Sequence, residues 1–227
     1  EITYKKLSAK DKARYIVFRY VINNFPKDHR LAPFPQYLLI EPVSTCNLRC
    51  TMCFQSDKSF TKKPYMGMMD YEFYKDVIDQ ASENGTKAIT LASRGEPTIH
   101  PKLNKMIEYA RDKILEIKIN TNATYLNSEL TNKILDTDLD QVIFSIDSHI
   151  KEIYEKIRLR GKFDKVFSNI KNFINIKKNH PNNERILTRV SGVYLEQVHK
   201  DNGFKEFWLD YVDEVGYVEA FERWNTY

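Results

Sequence analysis

The chain has 227 residues, 42% of them hydrophobic, enough for one large α/β domain or two small ones with a sizeable core. Lysine and arginine total 35 against 31 aspartate and glutamate, a net charge of +4. That mild, mixed balance gives no strong nucleic-acid signal, which would be a basic stripe or a domain pI above about 9. No window approaches the roughly 18 apolar residues of a membrane-spanning helix, so no membrane segment is expected. The start lacks the apolar core and small-residue cleavage site of a secretory signal. The three cysteines cluster together with no partners elsewhere, which argues against a disulfide framework and for a reducing, cytoplasmic setting.

The spacing predicts a helix over 8–23, capped by Ser8, with Asp11 near its positive end and Ala13, Ile16, Val17, Tyr20 and Val21 as its apolar face. Phe25-Pro26 ends it, and Pro33 and Pro35 make an extended approach, so residues 1–36 read as an N-terminal helix and lead-in. Residues 37–43 are mostly apolar and read as a strand buried on both faces. A cysteine-bearing loop follows, then an irregular polar stretch over 54–69. Asp70 caps a helix reaching about residue 84, with Phe73, Val77, Ile78 and Ala81 inward and Gly85 as its stop.

Strands are predicted over 87–91, 115–119, 141–146, 185–195 and 215–221. Between and beside them lie helices over 101–113, 128–135, 149–158, 163–178 and 204–211. This alternation implies right-handed crossovers and a parallel sheet. Six strand–helix units are two short of a closed eight-stranded barrel, so the fold class is α/β, an open partial (β/α)6 barrel. In parallel-sheet folds the functional loops follow the C-terminal strand ends. Gly95-Glu96-Pro97, Asn120-Thr121-Asn122 and Ser145-Ile146-Asp147 all fall at such ends.

Cys46, Cys50 and Cys53 are spaced Cys-x3-Cys-x2-Cys directly after the first strand. Thiolates suit zinc, copper(I) and iron–sulfur clusters, and short spacings let one loop wrap a compact centre. Ferredoxin clusters take four cysteines. Three would leave one metal position open, and an open position makes a centre catalytic rather than structural. Two other readings stand beside this one. A structural zinc site needs a fourth ligand such as histidine, and none of His29, His100, His149, His180 and His199 has finger spacing from Cys53. Metal-free cysteines can pack as small hydrophobes, although residues 45–55 lack an apolar period.

The Cys-x3-Cys-x2-Cys loop after a strand resembles the signature of radical S-adenosylmethionine (radical SAM) enzymes. The resemblance implies an open (β/α)6 barrel and a [4Fe–4S] cluster on Cys46, Cys50 and Cys53. It further implies that SAM chelates the open iron and is cleaved reductively to a 5′-deoxyadenosyl radical, which abstracts hydrogen from a peptide, sugar or nucleotide substrate. Such an enzyme is oxygen-sensitive and draws on a one-electron donor such as flavodoxin or ferredoxin.

The same resemblance assigns further residues. Gly95 and Glu96 match the end of a Gly-Gly-Glu-Pro motif that contacts the SAM amino group, with Arg94 at its first glycine. A carboxylate accepts from an ammonium, and glycine allows close backbone approach. Asn120 and Asn122 match a segment near the ribose or substrate, with Ala123 replacing a glycine. Ser145 and Asp147 match a Ser-x-Asp-Gly segment, with Ser148 replacing its glycine. Ser145 is expected at the ribose or carboxylate. Arg158 is expected at the SAM carboxylate, where its fork gives bidentate pairing, and Arg160 is second choice. The backbone near Val193 is expected to border the adenine. Met52 precedes the last cysteine, where a large apolar side chain excludes water from a cluster. No side chain is assigned to the hydrogen abstraction itself.

The resemblance runs through residues 37–227 and extends to the N-terminal catalytic half of proteins that carry a C-terminal SPASM (auxiliary-cluster) domain. Such a domain would need further cysteines and none follows Cys53, so either the sequence is a fragment ending at a domain boundary, which its stop soon after a strand favours, or the auxiliary clusters do not exist. The functional alternatives are a non-catalytic zinc-binding interaction domain and a simple iron–sulfur electron-transfer protein.

Overall fold

The computed structural model describes residues 7–182, 184–195 and 203–219. Helix α1 (Ala9–Asn24) leads into β1 (Tyr37–Ile40), and the cysteine loop contains the two-residue strand β2 (Arg49–Cys50). Then come α2 (Tyr71–Glu83), β3 (Ala88–Leu91), α3 (Leu103–Arg111), β4 (Glu116–Thr121), α4 (Ser128–Asp136) and β5 (Gln141–Ser145). Helix α5 (Lys151–Ile157) runs into a second short strand, β6 (Arg158–Leu159). Helix α6 (Phe163–Lys178), β7 (Leu187–Tyr194), α7 (Phe204–Leu209) and β8 (Glu214–Glu219) complete the order.

Six strands form one parallel sheet in the order β1-β3-β4-β5-β7-β8. Its ends, β1 and β8, are not paired to each other, so the barrel is open as expected. Strand alternation divides the sheet into two faces. On β4, Ile117 and Ile119 are fully buried in the core beneath the helices, together with Ile78, Met106, Ile134, Phe144 and Phe173. Glu116, Lys118 and Asn120 face the lumen, where Glu116 and Lys118 pair at 2.9 Å. The floor of the lumen is α1, whose Tyr15 and Phe18 pack on Ala88 and Leu115 at the N-terminal ends of β3 and β4.

The capping signals hold. Ser8 accepts from the Asp11 amide, Asp70 accepts from the Glu72 and Phe73 amides, and Gly85 adopts φ +91°. Helix phase differs in two places. In α1 the buried residues are Tyr15 and Phe18, with Ile22 partly buried, while Ala13, Ile16, Val17 and Tyr20 are exposed. Both faces carry apolar residues, and contact with the barrel floor chooses between them. In α2 Tyr74, Ile78 and Ala81 are buried and Phe73 is 58% exposed. The Tyr74 hydroxyl donates to the Met106 carbonyl at 3.0 Å, which sets that phase.

Strand β1 ends at Ile40 and is not buried on both faces, since Leu39 is 56% exposed. It is an edge strand whose inner side borders a cavity. The last strand starts at Glu214, and residues 220 and 221 of the predicted 215–221 lie outside the described residues. Among the described residues, no helix is long and apolar enough to cross a membrane.

Phe144 lies in the centre of the core, edge-on to Phe173 at 5.4 Å. Phe144→Ala should lower the unfolding free energy by about 3–5 kcal/mol, read from urea denaturation.

Candidate functional site

The cysteine loop is built on backbone bonds to three distant segments. The Met69 amide donates to Pro42 O at 2.8 Å, and Ser44 N donates to Gly67 O at 3.0 Å. The Glu96 amide donates to Thr45 O at 3.0 Å. This last contact depends on Gly95, since a Cβ there would stand 1.8 Å from Val43 O. Within the loop, Cys53 N donates to Cys50 O at 2.9 Å, closing the turn that carries the second and third thiols. Gln55, which the sequence did not mark, is buried and donates from Nε2 to Ser44 O and Arg94 O, each at 2.8 Å.

The sequence reading also missed the ribbon that pairs the loop with a distant segment. Strands β2 and β6 are antiparallel, with Arg49 opposite Leu159 and Cys50 opposite Arg158. Thr51 N donates to Ile157 O at 2.9 Å and extends the contact. Arg158 was expected at a helix end, but the helix stops at Ile157 and Arg158 crosses beside the thiol.

Its guanidinium grips Asp147, with Nε to Oδ2 at 2.6 Å and Nη2 to Oδ1 at 3.0 Å. Asp147 Oδ1 also accepts from Val193 N at 2.9 Å. Arg158 Nη1 lies 4.0 Å from Cys50 Sγ. Asp147 is therefore a fully buried anchor behind the cavity wall, while Arg158 forms part of the wall.

Glu96 is 2% exposed and surrounded by donors. Its Oε1 accepts from Thr121 Oγ1 at 2.6 Å and from the Thr98 amide and hydroxyl, and its Oε2 accepts from Asn122 N at 2.7 Å. Burial raises its pKa, against the pull of these hydrogen bonds. Asn122 Oδ1 accepts from the Thr124 amide and hydroxyl, and its Nδ2 donates to Asn47 Oδ1 at 2.9 Å. The same Nδ2 lies 3.8 Å from Cys46 Sγ, and Leu48 N donates to that sulfur at 3.4 Å. Asn47, inside the cysteine loop, and Thr124, two residues after Asn122, thus brace the site, although the sequence reading assigned neither a role.

Two loop residues hold left-handed conformations that glycine adopts more easily. Ser93 has φ +113°, and Ala123, at the position of a glycine in the resembled motif, has φ +61°. Ala123 keeps this turn through its amide, which donates to Thr121 Oγ1 at 3.0 Å, and its carbonyl, which accepts from Asn169 at 2.8 Å. Arg94, at the other glycine position, pairs with Glu41 at 2.6 Å.

These segments enclose a cavity of about 600 Å³, within the range of small-molecule sites. Cys46, Cys50, Cys53, Met52, Gly95, Glu96, Asn120, Asn122, Ser145 and Arg158 all line it, and so does Val193. Of the expected site residues Asp147 does not, and neither does the second-choice Arg160, which is exposed. Among the described residues, the buried Asn120 Oδ1 atom has no hydrogen-bond partner. The three thiols are free and half-buried. Burial raises the pKa of Cys46, and it pushes that of Cys50 up to about 11 against the opposing Arg158 charge. Among the described residues, no three His, Cys, Asp or Glu side chains are grouped to hold a single metal ion.

A profile of the Radical SAM superfamily matches residues 40–190, about two thirds of the chain. The tungsten-containing aldehyde ferredoxin oxidoreductase cofactor-modifying protein of Pyrococcus furiosus is 34% identical over 113 residues, covering 49% of this chain and 31% of that protein. The antilisterial bacteriocin subtilosin biosynthesis protein AlbA of Bacillus subtilis is 25% identical over 193 residues, covering 81% of this chain and 41% of AlbA. The chain thus spans less than half the length of these relatives. Streptococcus suis SuiB, solved with S-adenosylmethionine, superposes with a TM-score of 0.69 at 16% identity, over 91% of this chain and 45% of SuiB. This last likeness shows the fold.

Two substitutions test the frame of the site. Gly95→Ala should displace the cysteine loop and cost about 3 kcal/mol of stability in a denaturant titration. Asp147→Ala leaves the Arg158 charge buried without its partner, and the same titration should show a loss of about 3–5 kcal/mol.

Proposed function

This chain belongs to the radical SAM superfamily, whose members are enzymes using a [4Fe–4S] cluster and S-adenosylmethionine, and from that premise we propose that Cys46, Cys50 and Cys53 hold such a cluster here. One observation carries the reading: three free thiols on one braced loop share a cavity wall with the Gly95-Glu96 turn. The donor set fits the group. A cluster binds each thiolate at a different iron, so its ligands need not converge as those of a single ion do. That favours the cluster over the zinc alternative. The cluster would supply the electron that cleaves SAM reductively to a 5′-deoxyadenosyl radical.

The chain's own residues would bind and orient SAM. The Gly95 backbone and the unfilled acceptor capacity of Glu96 Oε2 suit its ammonium group. Ser145 and the outer edge of the Arg158 guanidinium suit its ribose or carboxylate. Asn120 Oδ1, buried and without a donor among the described residues, suits a hydroxyl or amide N–H of SAM or substrate. Met52 shields the last cysteine from water. Asp147 would act at one remove, by orienting Arg158. The substrate is a peptide, sugar or nucleotide, and the bacteriocin-biosynthesis relative favours a peptide. A one-electron donor such as flavodoxin or ferredoxin would serve the cluster.

The test is anaerobic reconstitution with iron and sulfide, reduction, and chromatography for 5′-deoxyadenosine after SAM is added. The wild-type chain should take up iron and acid-labile sulfide and release 5′-deoxyadenosine. Cys50→Ala should lose the iron and sulfide, and their full retention would remove Cys50 from the ligand set. Glu96→Ala should weaken SAM binding while sparing the cluster. Zinc without sulfide in the wild-type chain would sink the reading.

A further inference from the structure

Two side-chain N–H groups stand at two of the three cysteine sulfurs. Asn122 Nδ2 lies 3.8 Å from Cys46 Sγ, and Arg158 Nη1 lies 4.0 Å from Cys50 Sγ. Neither side chain is free to turn away. Asn122 is held at its oxygen by the Thr124 amide and hydroxyl, and at its nitrogen by Asn47. Arg158 is held by both oxygens of Asp147, which is itself fixed by the Val193 amide. Asn122 and Arg158 are both buried, so water screens their fields poorly. The Arg158–Asp147 pair is also oriented. Asp147 occupies Nε and Nη2, and the nitrogen at the sulfur is Nη1, so the pair turns its positive end to Cys50.

The potential of an iron–sulfur cluster depends on hydrogen bonds to its sulfurs, nearby charge and solvent exposure. One-electron reduction adds a negative charge to the cluster and breaks no bond to the protein. A fixed N–H dipole at Cys46 and a fixed cation at Cys50 therefore stabilise the reduced form more than the oxidised one. We propose that Asn122 and Arg158 are positioning residues that raise the reduction potential of the cluster held by Cys46, Cys50 and Cys53, bringing it closer to its electron donor. This inference rests on the cluster assignment made above. It differs from a SAM-binding role for the same residues, because it predicts an effect in the absence of SAM.

The experiment is a redox titration of the anaerobically reconstituted chain, without SAM, followed by electron paramagnetic resonance. Arg158→Gln and Asn122→Ala should each move the midpoint to more negative potential at wild-type iron and sulfide content. Arg158→Lys keeps the charge but loses the fork, and its midpoint should fall between those of wild type and Arg158→Gln. Unmoved midpoints in Arg158→Gln and Asn122→Ala, with intact clusters, overturn the inference even if SAM affinity falls. Should Arg158→Gln hold no cluster, Arg158→Lys decides with Asn122→Ala, and two unmoved midpoints again overturn it. Failure of the wild-type chain to take up iron and sulfide is a separate outcome, which defeats the cluster assignment itself.

Discussion

A carboxyl group can be taken out of water only where hydrogen-bond partners replace its hydration. Glu96 meets that constraint with four hydrogen bonds from Thr98, Thr121 and Asn122. The arrangement of the cavity follows from it. Thr121 ends β4 and Asn122 begins the next loop, so the acid following β3 fixes its neighbour's position. Asn122 passes the constraint on to Asn47 and the Cys46 sulfur. Gly95 makes the arrangement possible from the other side, because only a residue without a Cβ lets Glu96 lie against Thr45. Three loops after three neighbouring strands are thus knitted together through one buried acid.

The two faces of the sheet do different work. The outer face is packed with large apolar side chains that join it to the helices. The lumen face mixes Thr90, Glu116, Lys118 and Asn120 with Tyr37, Leu39 and Ile143, over a floor from α1. Such a mixed lining does not build the layers of branched aliphatics that fill a closed barrel. The interior therefore remains hollow, and the hollow adjoins the cysteines. Stability and function are separated by the simple alternation of strand side chains.

The features legible in the sequence were local ones. Ser8, Asp70 and Gly85 announce helix ends through bonds made within a few residues. The strand–helix alternation gives the parallel sheet, and the cysteine spacing marks the loop that matters. What could not be read were choices made by tertiary contact. Both faces of α1 are apolar, so only the barrel floor decides that Phe18 is buried and Val17 exposed. The edge position of β1 is set by strand order, since among the described residues it pairs only with β3 in the sheet. The Cys50–Arg158 ladder joins segments far apart in sequence and is too short to carry a pattern. Arg158 is an expected site residue in the sequence, yet its tie to Asp147 and its closeness to a sulfur come from the fold.

The stretch after the cysteines folds back on the strand extension that precedes them. Val43 pairs with Met68, and Ser44 and Pro42 bond Gly67 and Met69. The segment bearing all three thiols is therefore a closed circuit, and β6 clips its middle. Closing a flexible loop costs entropy that a ligand must otherwise supply on binding. In zinc fingers the metal meets that cost itself, and the apo chain stays unfolded. Here hydrogen bonds have already confined the three sulfurs to one short arc. A metal centre entering this loop would spend little of its binding energy on ordering the chain and could keep the remainder as affinity.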